Sequence, residues 1–309
     1  MRHVTRSLSS ALLLALFLAF VASPAFAESE PAVREANFRV GADYTWLHFF
    51  SDDVFQFRPG PRTLVSVPEV DIDDGGFTGT YVMPLEVLGP EFGLRVFGGP
   101  RFTKTHPDVL EETKTYGLTT GGEVFWRDPN VGEIGAGTFY AWDESRRGSE
   151  MGSGNVNRSN HEAGLNVFGK AFFGTPGEGL PVDLDVNLAF SDADIDSGGA
   201  NSANRTYAAN GGARVYFNDH TSFRLGADYS RTNLGQTDYV ENILATMDLE
   251  ILLPTERNVV IGGGFIVGDR TESFIEFQQY GRLVFGISLN ATISFTGAES
   301  LAELRRNFF

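Results

Sequence analysis

Between residues 281 and 295 the chain reads GRLVFGISLNATISF. Leu283, Phe285, Ile287, Leu289, Ala291, Ile293 and Phe295 are apolar, and the residues between them are nearly all small or polar. A period of two is the strand period, because successive side chains leave opposite faces of a sheet. Strands of soluble domains run about five or six residues, whereas a tilted membrane-spanning strand needs roughly nine to eleven. Alternation this long fits a long strand of a secreted β-sandwich. It also fits a strand with hydrocarbon on one face and a polar interior on the other.

The rest of the chain favours the second reading. Alternating runs recur, separated by turn signals. They begin at Asn37, Phe77, Phe92, Thr115, Glu133, His161, Val182, Thr206, Thr221, Glu241 and Asn258, and the quoted stretch belongs to a twelfth run from about Phe277. Tight Pro/Gly/Asn/Asp turns follow the even runs, and longer polar loops tend to follow the odd ones. Short turns at one end and long loops at the other describe an outer-membrane barrel with periplasmic turns and extracellular loops. An even count returns both termini to the periplasmic side.

The aromatics agree. With the apolar parity facing lipid, Phe38, Trp126, Phe173, Phe217, Phe223 and Phe295 fall at the periplasmic level. Tyr44, Trp46, Tyr140, Trp142 and Tyr229 fall at the extracellular level, giving two interfacial girdles. The expected fold is therefore all-β, a closed antiparallel transmembrane barrel of twelve strands. It becomes fourteen if RTLVSVPEVDI, within the loop 51–76, adds a hairpin. The same loop has a second option, folding inward to narrow the pore.

The first 27 residues carry Arg2 and Arg6, an apolar core over 11–22 and the small-residue site Ala25-Phe26-Ala27. These are the features of a secretory signal peptide. The expected organisation is a signal peptide over 1–27, a short periplasmic stretch over 28–36, the barrel over 37–295 and a periplasmic tail over 296–309. The chain has no cysteine, so neither disulfides nor a lipidated cysteine enter the reading. The formal charge of −16 becomes −18 on loss of Arg2 and Arg6, which argues against nucleic acid as a partner.

The last run resembles the terminal strand of bacterial outer-membrane barrels. GGEVFWRDPNVGEIGAGTFYAWDE is similar to paired strands of inverse-autotransporter (intimin/invasin) barrels. The resemblance implies a porin-like barrel in a Gram-negative envelope. Its partners would be outer-membrane lipid, lipopolysaccharide and the barrel-assembly machinery. One departure is the tail TGAESLAELRRNFF after Phe295. Ser300 and Glu303 have capping-box spacing, and Leu301, Leu304 and Phe308 share one helical face. A short periplasmic helix is expected there, with a plug or a partner contact as the alternative.

The lumen parity holds Arg39, Asp43, Arg95, Arg101, Glu123, Arg127, Glu133, Glu162, Lys170, Asp183, Asp185, Arg214, Arg224, Asp228, Asp248, Glu250 and Arg282. These charges either pair across a wet interior or line a narrow pore for small polar solutes. Their slight acidic excess predicts a preference for cations. Gly262, Gly263 and Gly264 lie within a strand and mark close packing or a bend rather than a phosphate loop.

A lipid hydrolase needs a nucleophile beside a base. The twelve-stranded outer-membrane phospholipases place His and Ser two apart on one strand face. Here His161 is followed by Glu162 and Ala163, and His48 by two Phe, so no enzyme is expected. A metal cluster of His48, His106 and His161 is set aside because their runs are not neighbours. Asp192, Asp194 and Asp196 continue the outward parity of their run beyond the hydrocarbon. They form a solvated acidic tip, or bind Ca²⁺ or Mg²⁺ bridging to lipopolysaccharide phosphates through hard oxygen ligands. No other cofactor is expected. The functional readings are a passive channel for small polar solutes, a closed structural or adhesion barrel and, third, the disfavoured hydrolase.

Overall fold

The alternating runs pair, each with the next, until the last meets the first. The computed structural model describes residues 36–308 except 57–62, 109–111, 148–155, 177–178, 197–200, 235–237, 254, 256, 274–279, 296–297 and 299. The signal-peptide segment 1–27 and all but the last residue of 28–36 lie outside the described residues.

The strands are β1 (Asn37–Phe49), β2 (Asp52–Gln56), β3 (Thr63–Val67), β4 (Val70–Pro84), β5 (Phe92–Pro107), β6 (Thr113–Asp128) and β7 (Gly132–Arg147). They continue as β8 (Val156–Phe173), β9 (Val182–Asp196), β10 (Asn201–Asn218), β11 (Thr221–Leu234), β12 (Asp238–Leu253), β13 (Val259–Ser273) and β14 (Tyr280–Ser294). One helix, α1 (Leu301–Phe308), follows. β1 and β4 to β14 form a closed antiparallel barrel, sealed by β1 against β14 from Arg39↔Ser294 to Phe49↔Val284. Closure leaves no unpaired edge, which a sheet in hydrocarbon requires.

The alternation sorts the two faces. Phe77, Leu118, Leu165, Leu225, Ile243, Phe265, Leu283 and Leu289 are large apolar side chains exposed on the outside. Such a belt is intolerable in water and expected against lipid. Aromatics close its ends: Phe38 lies beside Phe295, ring centres 5.7 Å apart, at the end where both termini lie. At the other end Trp46 meets Phe285 edge-on, and Tyr140 meets His161.

Leu289 lies midway along this belt, so Leu289→Arg places a charge near the hydrocarbon midplane, at a cost of about 2–4 kcal/mol. Ser288, one residue away, points into the lumen and donates to Asp248 at 3.3 Å, so Ser288→Arg meets a carboxylate and costs far less. Denaturant unfolding in lipid vesicles reads the difference, and equal losses would contradict the assignment of faces.

Three features differ from the sequence reading. The fourteen-strand alternative fails: β2 and β3 pair only with each other and stay out of the barrel. β4 starts at Val70 rather than Phe77, because its ladder runs on to Phe49 of β1 and Pro107 of β5. β9 and β11 likewise continue past the hydrocarbon to Asp196 and Leu234. Their extracellular connections are therefore shorter than the run boundaries imply.

Gly262 and Gly264 face the lumen. A Cβ on Gly262 would stand 2.8 Å from Asn290 Oδ1 and 2.9 Å from Glu250 Cγ, and one on Gly264 would collide with Asp248 Oδ1. The glycines clear space for the carboxylates on the neighbouring β12.

The tail folds back onto the barrel. Ser300 Oγ accepts the Glu303 N–H at 3.1 Å, an N-cap. Leu301, Ala302 and Leu304 are buried against Tyr216, Leu252 and Val260. Those three are lumen-parity residues at the ends of β10, β12 and β13 nearest the chain termini. The helix therefore sits in the mouth of the barrel at the end where both termini lie. The side chain of Phe308 lies outside the described residues.

Candidate functional site

Lumen-facing positions fall in register across neighbouring strands, so charges spaced by two along each strand meet as rows. The half nearer the chain termini holds two networks. The first is built around Glu133 on β7. Arg95 of β5 donates Nη2 to its Oε1 at 3.0 Å, and Arg127 of β6 donates Nε to its Oε2 at 2.6 Å. Lys170 Nζ of β8 stands 3.7 Å from Oε1. Arg95 also bonds Glu123 at 2.6 Å, and Asn166 donates to the other Glu123 oxygen at 2.8 Å. Phe125 lies under both guanidinium groups, its ring centre 4.9 Å from Arg95 and 4.6 Å from Arg127, which adds a cation–π contact. Arg39 of β1 is buried.

The second network joins β9 to β12 with the helix. Arg224 clasps Asp185 bidentately at 3.1 and 2.7 Å and stands 3.9 Å from Asp248. Asp183 accepts Tyr216 Oη at 2.6 Å and Arg306 Nε at 2.9 Å. Arg306 also donates to the carbonyls of Gly174 at 2.7 Å and Phe173 at 3.0 Å. Glu250 is shared by Arg214 and Arg305.

Towards the opposite end of the lumen lies a further set of contacts. Arg101 donates Nε to Asp74 at 3.3 Å, and Thr103 bonds the same oxygen at 2.7 Å. Asp43 lines a cavity with Arg101, and Glu162 accepts Ser191. Arg282 donates to the carbonyls of Phe49, Phe50 and Pro68 at 3.1, 3.0 and 2.6 Å. It thereby pins both ends of the β2–β3 insertion. Asp228 is on the lumen face of β11, opposite Asn210.

Cavities open into this interior among the described residues. One of about 310 Å³ touches Arg95, Lys170, Asp183, Asp185, Arg214 and Arg305. Two others, about 250 and 150 Å³, share Arg101 and Thr119 nearer the extracellular side.

The remaining candidates lie outside the barrel wall. Asp192, Asp194 and Asp196 are exposed on the outward parity of β9. Arg205 of β10 donates to Asp192 at 2.8 Å, supplying a cation from the protein itself. Among the described residues no three His, Asp or Glu side chains gather closely enough to hold a metal ion. His48 bonds Asp71 at 2.9 Å, His106 lies 3.3 Å from both Asp73 and Glu112, and His161 bonds Tyr140 at 2.7 Å. Each histidine thus has its own partners.

Asp74, Tyr216, Asn166, Arg305 and Arg306 join the site without a signal in the strand parity of the charges. Asp74 falls within the loop reading of 51–76, and Tyr216 and Asn166 carry no charge. Nothing in the periodicity of the tail says that its arginines enter the barrel.

No family model matches the chain, and no curated protein matches it. Among solved structures it is similar to the β domain of the Bordetella autotransporter Brka, with 9% identity and a TM-score of 0.53, covering 82% of this chain and 99% of that one. It is also similar to an outer-membrane channel from Pseudomonas putida F1, with 15% identity and a TM-score of 0.54, covering 89% of this chain and 100% of that one. At such identities the likeness is one of fold. That fold is the bacterial outer-membrane barrel, and with the apolar exterior and closed wall it makes this chain an integral outer-membrane protein.

Proposed function

We propose that the chain is a passive channel for small polar solutes, with α1 narrowing its periplasmic mouth. The observation that carries this is the charged interior. Cavities of about 310, 250 and 150 Å³ are spread along the lumen, and charged side chains line each of them: Arg95, Lys170 and Arg214 in the first, Arg101 and Glu162 in the second, Asp43 and Arg101 in the third. A barrel meant only as a scaffold would gain more from a packed interior, since buried ion pairs add little net stability over apolar packing. Twelve strands give a bore between the side-chain-filled eight-stranded barrels and the open porins. A neighbouring fold is described as an outer-membrane channel, which is compatible with the reading.

Purified protein in a planar bilayer is expected to give stable, small unit conductance steps in KCl. A silent bilayer with correctly folded protein would instead favour a closed structural barrel.

A further inference from the structure

One stretch of the barrel wall is not sealed by a continuous ladder. β4 and β5 pair from Val70↔Pro107 to Gly76↔Arg101 and again from Gly79↔Gly98 to Pro84↔Gly93, but not where Phe77 and Thr78 stand across from Pro100 and Gly99. Among the described residues every other barrel ladder is continuous at this level. The cause is local. Pro100 has no N–H to give to the ladder. Gly99 packs so closely on β4 that a Cβ there would overlap the Phe77 carbonyl oxygen. Phe77 is exposed in the apolar belt, across from Ala42 of β1 and so between the levels of Phe38 and Tyr44. Unpaired backbone at that depth is costly unless it borders protein or a water-filled cavity. Here it borders a cavity of about 150 Å³, which touches Phe77 and Pro100 of the outward parity and Asp43, Arg101 and Thr119 of the lumen parity.

Aromatic surface leads from the lumen to this break. The neighbouring cavity of about 250 Å³ shares Arg101 and Thr119 with it and is lined by Phe139, while Phe97 lines the cavity at the break. Both rings lie flat on the lumen wall, Phe97 over Gly121 and Phe139 over Gly164, where a Cβ would strike the ring. We propose that the break is a side portal by which small amphipathic molecules, each a single apolar ring with one polar group, pass between the lumen and the bilayer. A cavity of about 150 Å³ is of the size at which an apolar site admits one aromatic ring. Asp43, Arg101 and Thr119 meet the polar group on the lumen side, and Phe97, Phe77 and Pro100 flank the ring on its way to the lipid. The strands can part here without losing ladder bonds, because the ladder is already interrupted. This goes beyond the polar-solute reading, since the side route needs entry to the lumen but not passage through the mouth that α1 narrows.

The test is photolabelling of the full chain in lipid vesicles, with a diazirine-substituted benzyl alcohol dissolved in the bilayer as the probe. Mass spectrometry reads the labelled residues, and Leu289, exposed on a different part of the belt, serves as the standard for contact with lipid. The parent should be labelled at Phe97 and Thr119 on the lumen side as well as at Phe77. Pro100→Val restores an N–H to the ladder, and its labelling at Phe97 and Thr119 should fall roughly tenfold relative to Leu289, the scale of one backbone hydrogen bond. Phe77→Trp fills the lipid side of the cavity without altering the ladder and should give the same loss, so the test does not hang on the folding of one variant. Unit conductance in KCl should be the same in all three proteins. A parent without label at Phe97 and Thr119 overturns the proposal. So does equal labelling in the parent and the folded variants, because the probe then arrives along the lumen from its mouth. A conductance that falls with the labelling also overturns it, since the break would then belong to the ion path. The expected labelling in a protein that passes no current would uphold the portal and remove only the polar-solute channel.

Discussion

Glu133→Ala will destabilise the barrel by about 3–5 kcal/mol, the cost of leaving buried charge without its partner. Glu133 is fully buried and is shared by Arg95, Arg127 and Lys170. Arg127 is equally buried, so water cannot replace the lost carboxylate there without moving the wall. Phe125 keeps its cation–π contacts with Arg95 and Arg127, but these are worth only about 0.5–2 kcal/mol each. Glu133→Gln retains hydrogen-bond acceptance without charge and should fall between Ala and the parent. Arg127→Met in the Glu133→Ala background should recover part of the loss, because it removes the most deeply buried of the three cations. Unfolding in vesicles, followed by the fluorescence of Trp46, Trp126 and Trp142, measures the series. A loss below about 1 kcal/mol would mean that lumen water screens the pair as it screens a surface ion pair.

The ease with which parts of this molecule could be read follows from the range of the interactions that fix them. Strand identity is local: a period of two, written residue by residue, assigns Leu289 to lipid and Ser288 to the lumen without reference to any other strand. Parity then carries the charges with it: it puts Arg95, Glu123, Arg127 and Glu133 on the same face as the other lumen charges, and which of these meet is set by strand register, which joins these four by ion pairs. The rule weakens above the hydrocarbon, where both faces meet water and the polarity contrast disappears. Asp71 and Asp73 occupy the outward parity there. With Asp74 beside them, the start of β4 reads as loop, and the partner of Arg101 is lost with it.

The helix shows the other limit. Ser300 and Glu303 announce its start through contacts three residues apart. Its seat depends on Tyr216, Leu252 and Val260, which are remote in sequence. A hydrophobic face at helical spacing records that something will cover it, and is silent about what. The lumen's charge balance therefore depends on Arg305 and Arg306, whose place beside Glu250 and Asp183 no local pattern specifies.

Deleting residues 296–309 should raise the unit conductance several-fold and move the ion preference towards cations. The helix is held by two kinds of contact. Leu301, Ala302 and Leu304 are buried on the lumen wall, each buried leucine contributing roughly 1.5–3 kcal/mol. Arg305 and Arg306 tie the last turn to Glu250 and Asp183. The truncated barrel retains partners for both carboxylates, Arg214 for Glu250 and Tyr216 for Asp183, so its wall should still fold. Arg305→Ala with Arg306→Ala separates the two effects. The apolar face stays seated, so conductance should change little, while the shift in reversal potential should approach that of the truncated chain. Conductance should therefore rank truncated chain well above double variant, with the double variant near the parent. Equal conductance in the parent and the truncated chain would show that solutes do not pass where the helix sits. An unchanged reversal potential in the double variant would show that its arginines do not set the field there. Either result would separate the seat of the helix from the path of the ions, which the burial of Leu304 beside Arg305 otherwise makes one place.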